Sequence, residues 1–164
     1  MPRSLRAAAA GAVAAAAWVV AEPAIRRALG GPHRELRLVG GLLAPERAWL
    51  PVGLAVHLAN GAAFGIVFDR LGGRGIRAAV VAAQVENAAL WPAMALVDRL
   101  HPDVRSGRWP PLARNQSAAA QEIAGHLVFG VVLGVLLAKP AVGRGGVRPL
   151  RVRRCAIGTQ STHL

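Results

Sequence analysis

The chain has 164 residues, of which 54% are hydrophobic and 17% charged, and its mean hydropathy is +0.38. Soluble domains carry about a quarter charged residues, so this composition predicts an integral membrane protein, and the length allows one domain. The net charge of +12 would suit nucleic acid. However, the arginines flank apolar segments, which favours anionic lipid, and no nucleic-acid partner is expected.

Four apolar segments predict membrane-spanning helices, because a bilayer core of ~30 Å needs ~20 helical residues. The first segment is Ala-rich and short unless it continues through Glu22-Pro23 toward Leu29. It also resembles a secretory signal peptide, but bulky Trp18 and Val20 crowd the cleavage site, so an uncleaved span is favoured. The four predicted spans cover residues 7–21, 52–68, 76–97 and 117–138. The predicted fold class is therefore an all-α, integral membrane four-helix bundle.

The segments between the spans predict topology. Residues 36–44 form an apolar patch in the long first loop and predict a short interfacial helix. The side that holds both termini carries eleven Lys and Arg, against nine on the other side, which predicts cytoplasmic termini. Residues 1–139 are predicted to form the four-span domain. Residues 140–164 are predicted to be a basic, disordered cytoplasmic tail that contacts anionic lipid. The single cysteine, Cys155, allows no intrachain disulfide.

A short motif occurs in both the second and the fourth span. His57-Leu58-x-x-Gly61-x-x-x-Gly65 returns as His126-Leu127-x-x-Gly130-x-x-x-Gly134, which suggests two repeated helical hairpins. Small residues four apart let helix backbones approach closely, whereas Ala79 and Val135 are predicted to face lipid. The predicted packing positions are Gly53, Gly61, Gly65, Gly130 and Gly134.

Ionisable groups inside spans are costly and normally face the protein interior. Glu122 lies one turn before His126, so a local carboxylate–imidazole hydrogen bond is geometrically available. Such a pair could hold a proton, orient a metal-bound imidazole or neutralise both groups. Glu86 is the acid placed deepest in a span, with His57, His126 or an arginine as its expected partner. The candidate residues of a polar core are Glu22, His57, Glu86, Glu122 and His126.

Several of these residues lie in short motifs that are similar to those of a known family of membrane proteins. The stretch Glu122-Ile123-Ala124-Gly125-His126-Leu127-Val128 resembles the Glu-Ile-x-Gly-His-Leu-Val element in the last span of YagU-like bacterial inner-membrane proteins. Trp18-x-x-x-Glu22-Pro23 is similar to the end of their first span, and His57 followed by Phe64-x-Ile66-Val67-Phe68 fits their second. The chain departs from that pattern in a shorter first loop and a glycine stripe after His126. The resemblance implies a small protein of the bacterial cytoplasmic membrane without an established activity.

The function expected from the sequence is that of a multi-pass membrane protein with a proton- or ion-linked Glu/His core. One alternative is a b-type haem protein with His57 and His126 as axial ligands. Another is a non-catalytic subunit whose glycine faces bind a second copy or a partner membrane protein. The sequence contains no recognised catalytic motif and favours a non-enzymatic role. The sequence pattern does not decide whether the histidines bind a metal ion.

Overall fold

The computed structural model describes residues 1–44 and 46–138, and this part of the chain is helical without strands. Seven α-helices follow one another in chain order. They are α1 (Arg3–Leu29), α2 (Glu35–Leu43), α3 (Trp49–Arg70), α4 (Gly75–Leu90), α5 (Met94–Leu100), α6 (Pro102–Arg105) and α7 (Gln116–Leu136), and a 3₁₀ turn at Trp91–Ala93 joins α4 to α5.

The four predicted spans are confirmed as helices long and apolar enough to cross a membrane. The first span extends beyond Ala21, because α1 continues through Pro23 and has Leu29 as its last residue. Gly30 caps the helix with a φ of +66°, a left-handed conformation that suits glycine. The third span consists of α4 and α5, and its helix is interrupted at Pro92, which cannot donate an intrahelical hydrogen bond. Lys139 and the predicted tail at 140–164 lie outside the described residues.

The spans form a four-helix bundle made of two antiparallel hairpins. Helix α1 packs on α3, and α4 packs on α7, while contacts between α1 and α7 join the two pairs. The short helix predicted in the first loop is present as α2, which packs against the start of α3. Its first residues are buried, so α2 covers one end of the bundle. Helices α3 and α4 are joined by a tight turn, yet they share almost no contacts.

The glycines of the motif lie at the closest helix contacts of both hairpins. Gly61 faces Gly11 of α1, and Gly134 faces Ile76 of α4, in each case with backbone against backbone. Gly65 and Gly130 make equivalent contacts one turn away, and Gly53 packs against α2. The prediction that Ala79 faces lipid is wrong. This residue is fully buried because the backbone of Gly130 leaves room for α7 to pack directly over it.

Polarity is arranged inside out relative to a soluble protein. Val20, Val85 and Val135 are more than half exposed on the outer faces of the spans, whereas several carboxylates and imidazoles are buried in the bundle. Apolar side chains facing outward suit hydrocarbon, and polar groups facing inward avoid it. The protein is therefore a multi-pass membrane protein.

Candidate functional site

Six ionisable residues meet near the end of the bundle that α2 covers, and none has more than 8% of its surface exposed. They come from α1, the loop before α2, α2 itself, α3 and α7. We call this cluster the Glu/His core; its members are Glu22, His33, Glu35, His57, Glu122 and His126. Four of them belong to the candidates predicted from the sequence, and the structure adds His33 and Glu35.

Glu122 is paired with the first loop rather than with its own helix. Its Oε1 lies 2.8 Å from His33 Nε2, and the ring of His33 is completely buried. His126 Nδ1 lies 2.8 Å from the backbone oxygen of Glu122, to which it donates, and 4.0 Å from the Glu122 carboxylate. The local carboxylate–imidazole hydrogen bond that the spacing allows is not formed, because the ring is satisfied by the carbonyl one turn back and the carboxylate is paired with His33.

Glu35, the first residue of α2, faces His57 of α3. Its Oε1 is 3.5 Å from His57 Nδ1, while His57 Nε2 is 3.3 Å from the carbonyl oxygen of Ala15. Both neighbours of this imidazole are acceptors, so the doubly protonated ring can satisfy both. Burial raises the pKa of the Glu35 carboxyl, but the hydrogen bond to His57 and the charges of the nearby histidines lower it more, and the pKa falls below its usual range.

Glu22 holds α2 in place. Its Oε1 accepts a hydrogen bond of 2.7 Å from the backbone N–H of Glu35, one of the donors that an α-helix leaves unsatisfied at its N-terminus. A carboxylate is favoured at that position by the helix dipole. The end of α1 thus fixes the residue that α2 contributes to the core.

Trp18 of α1 lies between the two histidines of the repeated motif. Its ring centroid is 5.1 Å from that of His57 and 4.5 Å from that of His126. Gly125 makes this possible, because a Cβ there would overlap the indole. A haem held by both histidines would have to displace Trp18.

A cavity of about 340 Å³ opens beside the core. Glu35, His57 and Glu122 form part of its wall, and Glu86 and Asn60 also line it. Glu86 is only partly buried and forms no ion pair with any described residue, so the structure places it beside the core rather than against the partners expected for it.

Two buried polar atoms of the core have no hydrogen-bond partner among the described residues. They are His33 Nδ1 and Glu35 Oε2. Buried polar atoms are nearly always paired in native proteins, so these two need an explanation. One ligand atom each from His33, Glu35 and Glu122 lie within 4.8 Å of one another, close enough for a single metal ion to be held between them.

A second polar cluster holds the loops outside the spans. Arg37 of α2 donates to Asp103 at 2.8 and 3.1 Å and to Glu46 at 2.8 and 2.6 Å. The Arg37 guanidinium holds the pKa of the buried Asp103 carboxyl below its usual range. His101 accepts from the backbone N–H of Asp103 and stacks on Trp109. This network fixes α2 from its outer side, as Glu22 does from its inner side.

His33 and Glu35 lie between the first two predicted spans, where an ionisable residue carries none of the cost that marks such a residue inside a span. The available indication was local: Glu35 directly precedes the apolar patch that forms α2. Comparisons of this chain with protein-family models, with curated proteins and with solved structures find no match. Its function must therefore be argued from the site itself.

Proposed function

We propose that this protein is an ion-linked protein of the bacterial cytoplasmic membrane, and that its Glu/His core binds one divalent transition-metal ion. The observation that carries the proposal is the convergence of His33, Glu35 and Glu122, whose ligand atoms lie within 4.8 Å of one another inside a buried cluster. The unpartnered Glu35 Oε2 supports it, because a bound cation would satisfy a buried atom that otherwise loses solvation without compensation.

The donor set indicates which metals fit. One imidazole nitrogen and two carboxylate oxygens suit Zn²⁺, Mn²⁺ or Fe²⁺, whereas Ca²⁺ and Mg²⁺ prefer oxygen ligands alone. Bonds of ~2.1 Å at tetrahedral angles place ligand atoms about 3.4 Å apart. The present separations allow that geometry with small side-chain movements, since His33 Nε2 and Glu122 Oε1 are already 2.8 Å apart.

Charge balance supports the same conclusion. The core contains three carboxylates, and the ion pairs recorded for Glu35 and Glu122 among the described residues are with histidines. Neighbouring carboxylates repel each other in a low-dielectric interior, so a cation between Glu35 and Glu122 would stabilise the core. Three protein ligands leave a coordination position free, and the cavity adjoins Glu35 and Glu122. His57, which faces Glu35, would orient that ligand from outside the coordination sphere.

Orientation and partners belong to the same proposal. The surplus of Lys and Arg on the side of the termini favours cytoplasmic ends, so α2 and the Glu/His core would lie toward the outer surface. The basic residues beyond 139 would bind anionic lipid. Membership in the YagU-like family rests on the motifs around Glu22, His57 and Glu122.

The test is metal binding by purified protein in nanodiscs. After removal of metals with EDTA, we expect Zn²⁺ or Co²⁺ to bind at one ion per chain. Zn²⁺ at 100 times its Kd should stabilise the fold by about 2.7 kcal/mol, and Co²⁺ should give a visible absorption band. Glu122→Gln and Glu35→Gln should each abolish binding.

The matched control is Glu86→Gln, which removes a carboxylate from the same cavity wall without touching the three ligands. Unchanged metal binding in Glu122→Gln and Glu35→Gln, with the variants folded by circular dichroism, would refute the site. A requirement for Glu122 in cells without any stoichiometric metal would point to protons instead. A Soret band in the purified protein would favour the haem alternative.

A further inference from the structure

The wall of the cavity beside the core combines polar and apolar side chains. Its polar residues include Glu35, Glu122 and the amides of Asn60 and Asn87. Its apolar residues include Val56, Leu90, Met94 and Val97. Its volume of about 340 Å³ lies within the ~300–1,000 Å³ range of small-molecule sites.

This cavity reaches the surface that faces the bilayer. Val56 of α3 is 38% exposed and Leu90 of α4 is 57% exposed, and both line the cavity. They lie on the two helices that share almost no contacts although they are neighbours in the chain. The cavity thus reaches exposed apolar side chains on both helices, which is where a molecule in the membrane would enter it.

We propose that this cavity binds a membrane-soluble amphiphile that has an uncharged hydroxyl or carbonyl head group and a single hydrocarbon chain. The chain would lie against Val56, Leu90 and Val97, and the head group would hydrogen-bond to Asn60 and Glu86. An anionic head group is disfavoured because three carboxylates, those of Glu35, Glu86 and Glu122, line the cavity. A molecule without a head group would leave those polar side chains unsatisfied in hydrocarbon.

This inference goes beyond metal binding and does not require it. The amides and Glu86 can hold the head group in metal-free protein, whereas a metal ion at the core would offer the head group a free coordination position. The ligand experiment is therefore run both with EDTA and with Zn²⁺. Loss of binding in both conditions refutes the amphiphile site, and failure of metal binding alone leaves it standing.

The probe is 11-bromoundecanol, whose bromine quenches tryptophan fluorescence on contact. Trp91 lines the cavity, so a variant that keeps Trp91 as its only tryptophan reports on occupancy. If that variant does not fold, the same displacement can be followed in the full chain with a radiolabelled long-chain alcohol. We expect saturable quenching that dodecanol reverses, and much weaker effects from 11-bromoundecanoate and from bromoundecane.

Val56→Phe and Leu54→Phe provide the matched pair. The two positions are on the same helix and almost equally exposed, at 38% and 39%, but only Val56 lines the cavity. Filling the cavity should raise the apparent Kd of the alcohol at least about tenfold in Val56→Phe and leave Leu54→Phe unchanged. Non-saturable quenching, or equal affinity in both variants, would show that the alcohol only dissolves in the bilayer and would overturn the proposal.

Discussion

Replacing Gly61 should separate α1 from α3. A Cβ at this position would lie 2.6 Å from the Cβ of Ala15 and 2.7 Å from the carbonyl oxygen of Gly11, whereas carbon atoms in contact are normally ~3.5–4.0 Å apart. The helices must therefore move by about 1 Å. Overpacking of this kind costs ~1–3 kcal/mol, against ~1 kcal/mol that alanine gains over glycine in a helix interior.

The net expectation for Gly61→Ala is a loss of up to about 2 kcal/mol in the free energy of unfolding, and Gly61→Leu should lose more. The control is Ala63→Leu on the exposed side of the same helix, which should change stability little. Reversible unfolding in mixed micelles, followed by circular dichroism, measures both. Because His57 contacts the Ala15 carbonyl, Gly61→Leu should also weaken metal binding. Equal losses in Gly61→Leu and Ala63→Leu would refute the assignment of this contact as the tight one.

Three further predictions follow from the core and the loops. A double-mutant cycle should give a coupling of ~1–3 kcal/mol between Glu122 and His33 and little between Glu122 and the ring of His126, as measured by unfolding; the reverse order would refute the pairing. Arg37 lowers the pKa of Asp103, so this pair should stabilise the fold above the ordinary pKa of 3.8 and lose that contribution as the pH falls below it. Asp103→Asn should therefore unfold at lower temperature than the native chain at pH 7, and this difference should shrink as the pH falls below 3.8; a constant difference would contradict the mechanism. Reporters fused between α1 and α2 and after α6 should be active only as periplasmic reporters, and cytoplasmic activity at both would reverse the orientation.

The fold followed from sequence because its main determinants are local. A bilayer requires a continuous apolar helix of a certain length, so each span can be recognised without knowledge of the others. The end of α1 was harder to place, since Glu22 and Pro23 interrupt an alanine-rich helix that nevertheless continues to Leu29. Ala79 was misplaced for a related reason: the sequence gives the direction in which a helical residue points but not which neighbour lies there.

The site was only partly predictable, because it depends on contacts between distant segments. Spacing correctly brought Glu122 and His126 close together but could not show that the His126 ring bonds to the backbone oxygen. The true partner of the carboxylate, His33, is 89 residues away along the chain. Glu35 is positioned at the core by the hydrogen bond that its backbone N–H donates to Glu22. Periodicity within one helix contains no information about such a loop folding back over the bundle.

The hydrogen bond and ion pairs that position Glu35 in the core also hold α2 against the end of the bundle. Helix α2 is held on its inner side by Glu22 and on its outer side by the ion pairs of Arg37, and between these it presents Glu35 toward Glu122. Two buried carboxylates in one site repel each other unless a cation lies between them. A metal ion shared by Glu35 and Glu122 would therefore fasten α2 to α7, whereas its loss would favour movement of α2 away from the bundle. Since Glu35 also lines the cavity, such a movement would alter the cavity wall, so that cation binding should change the affinity for the ligand without being required for it.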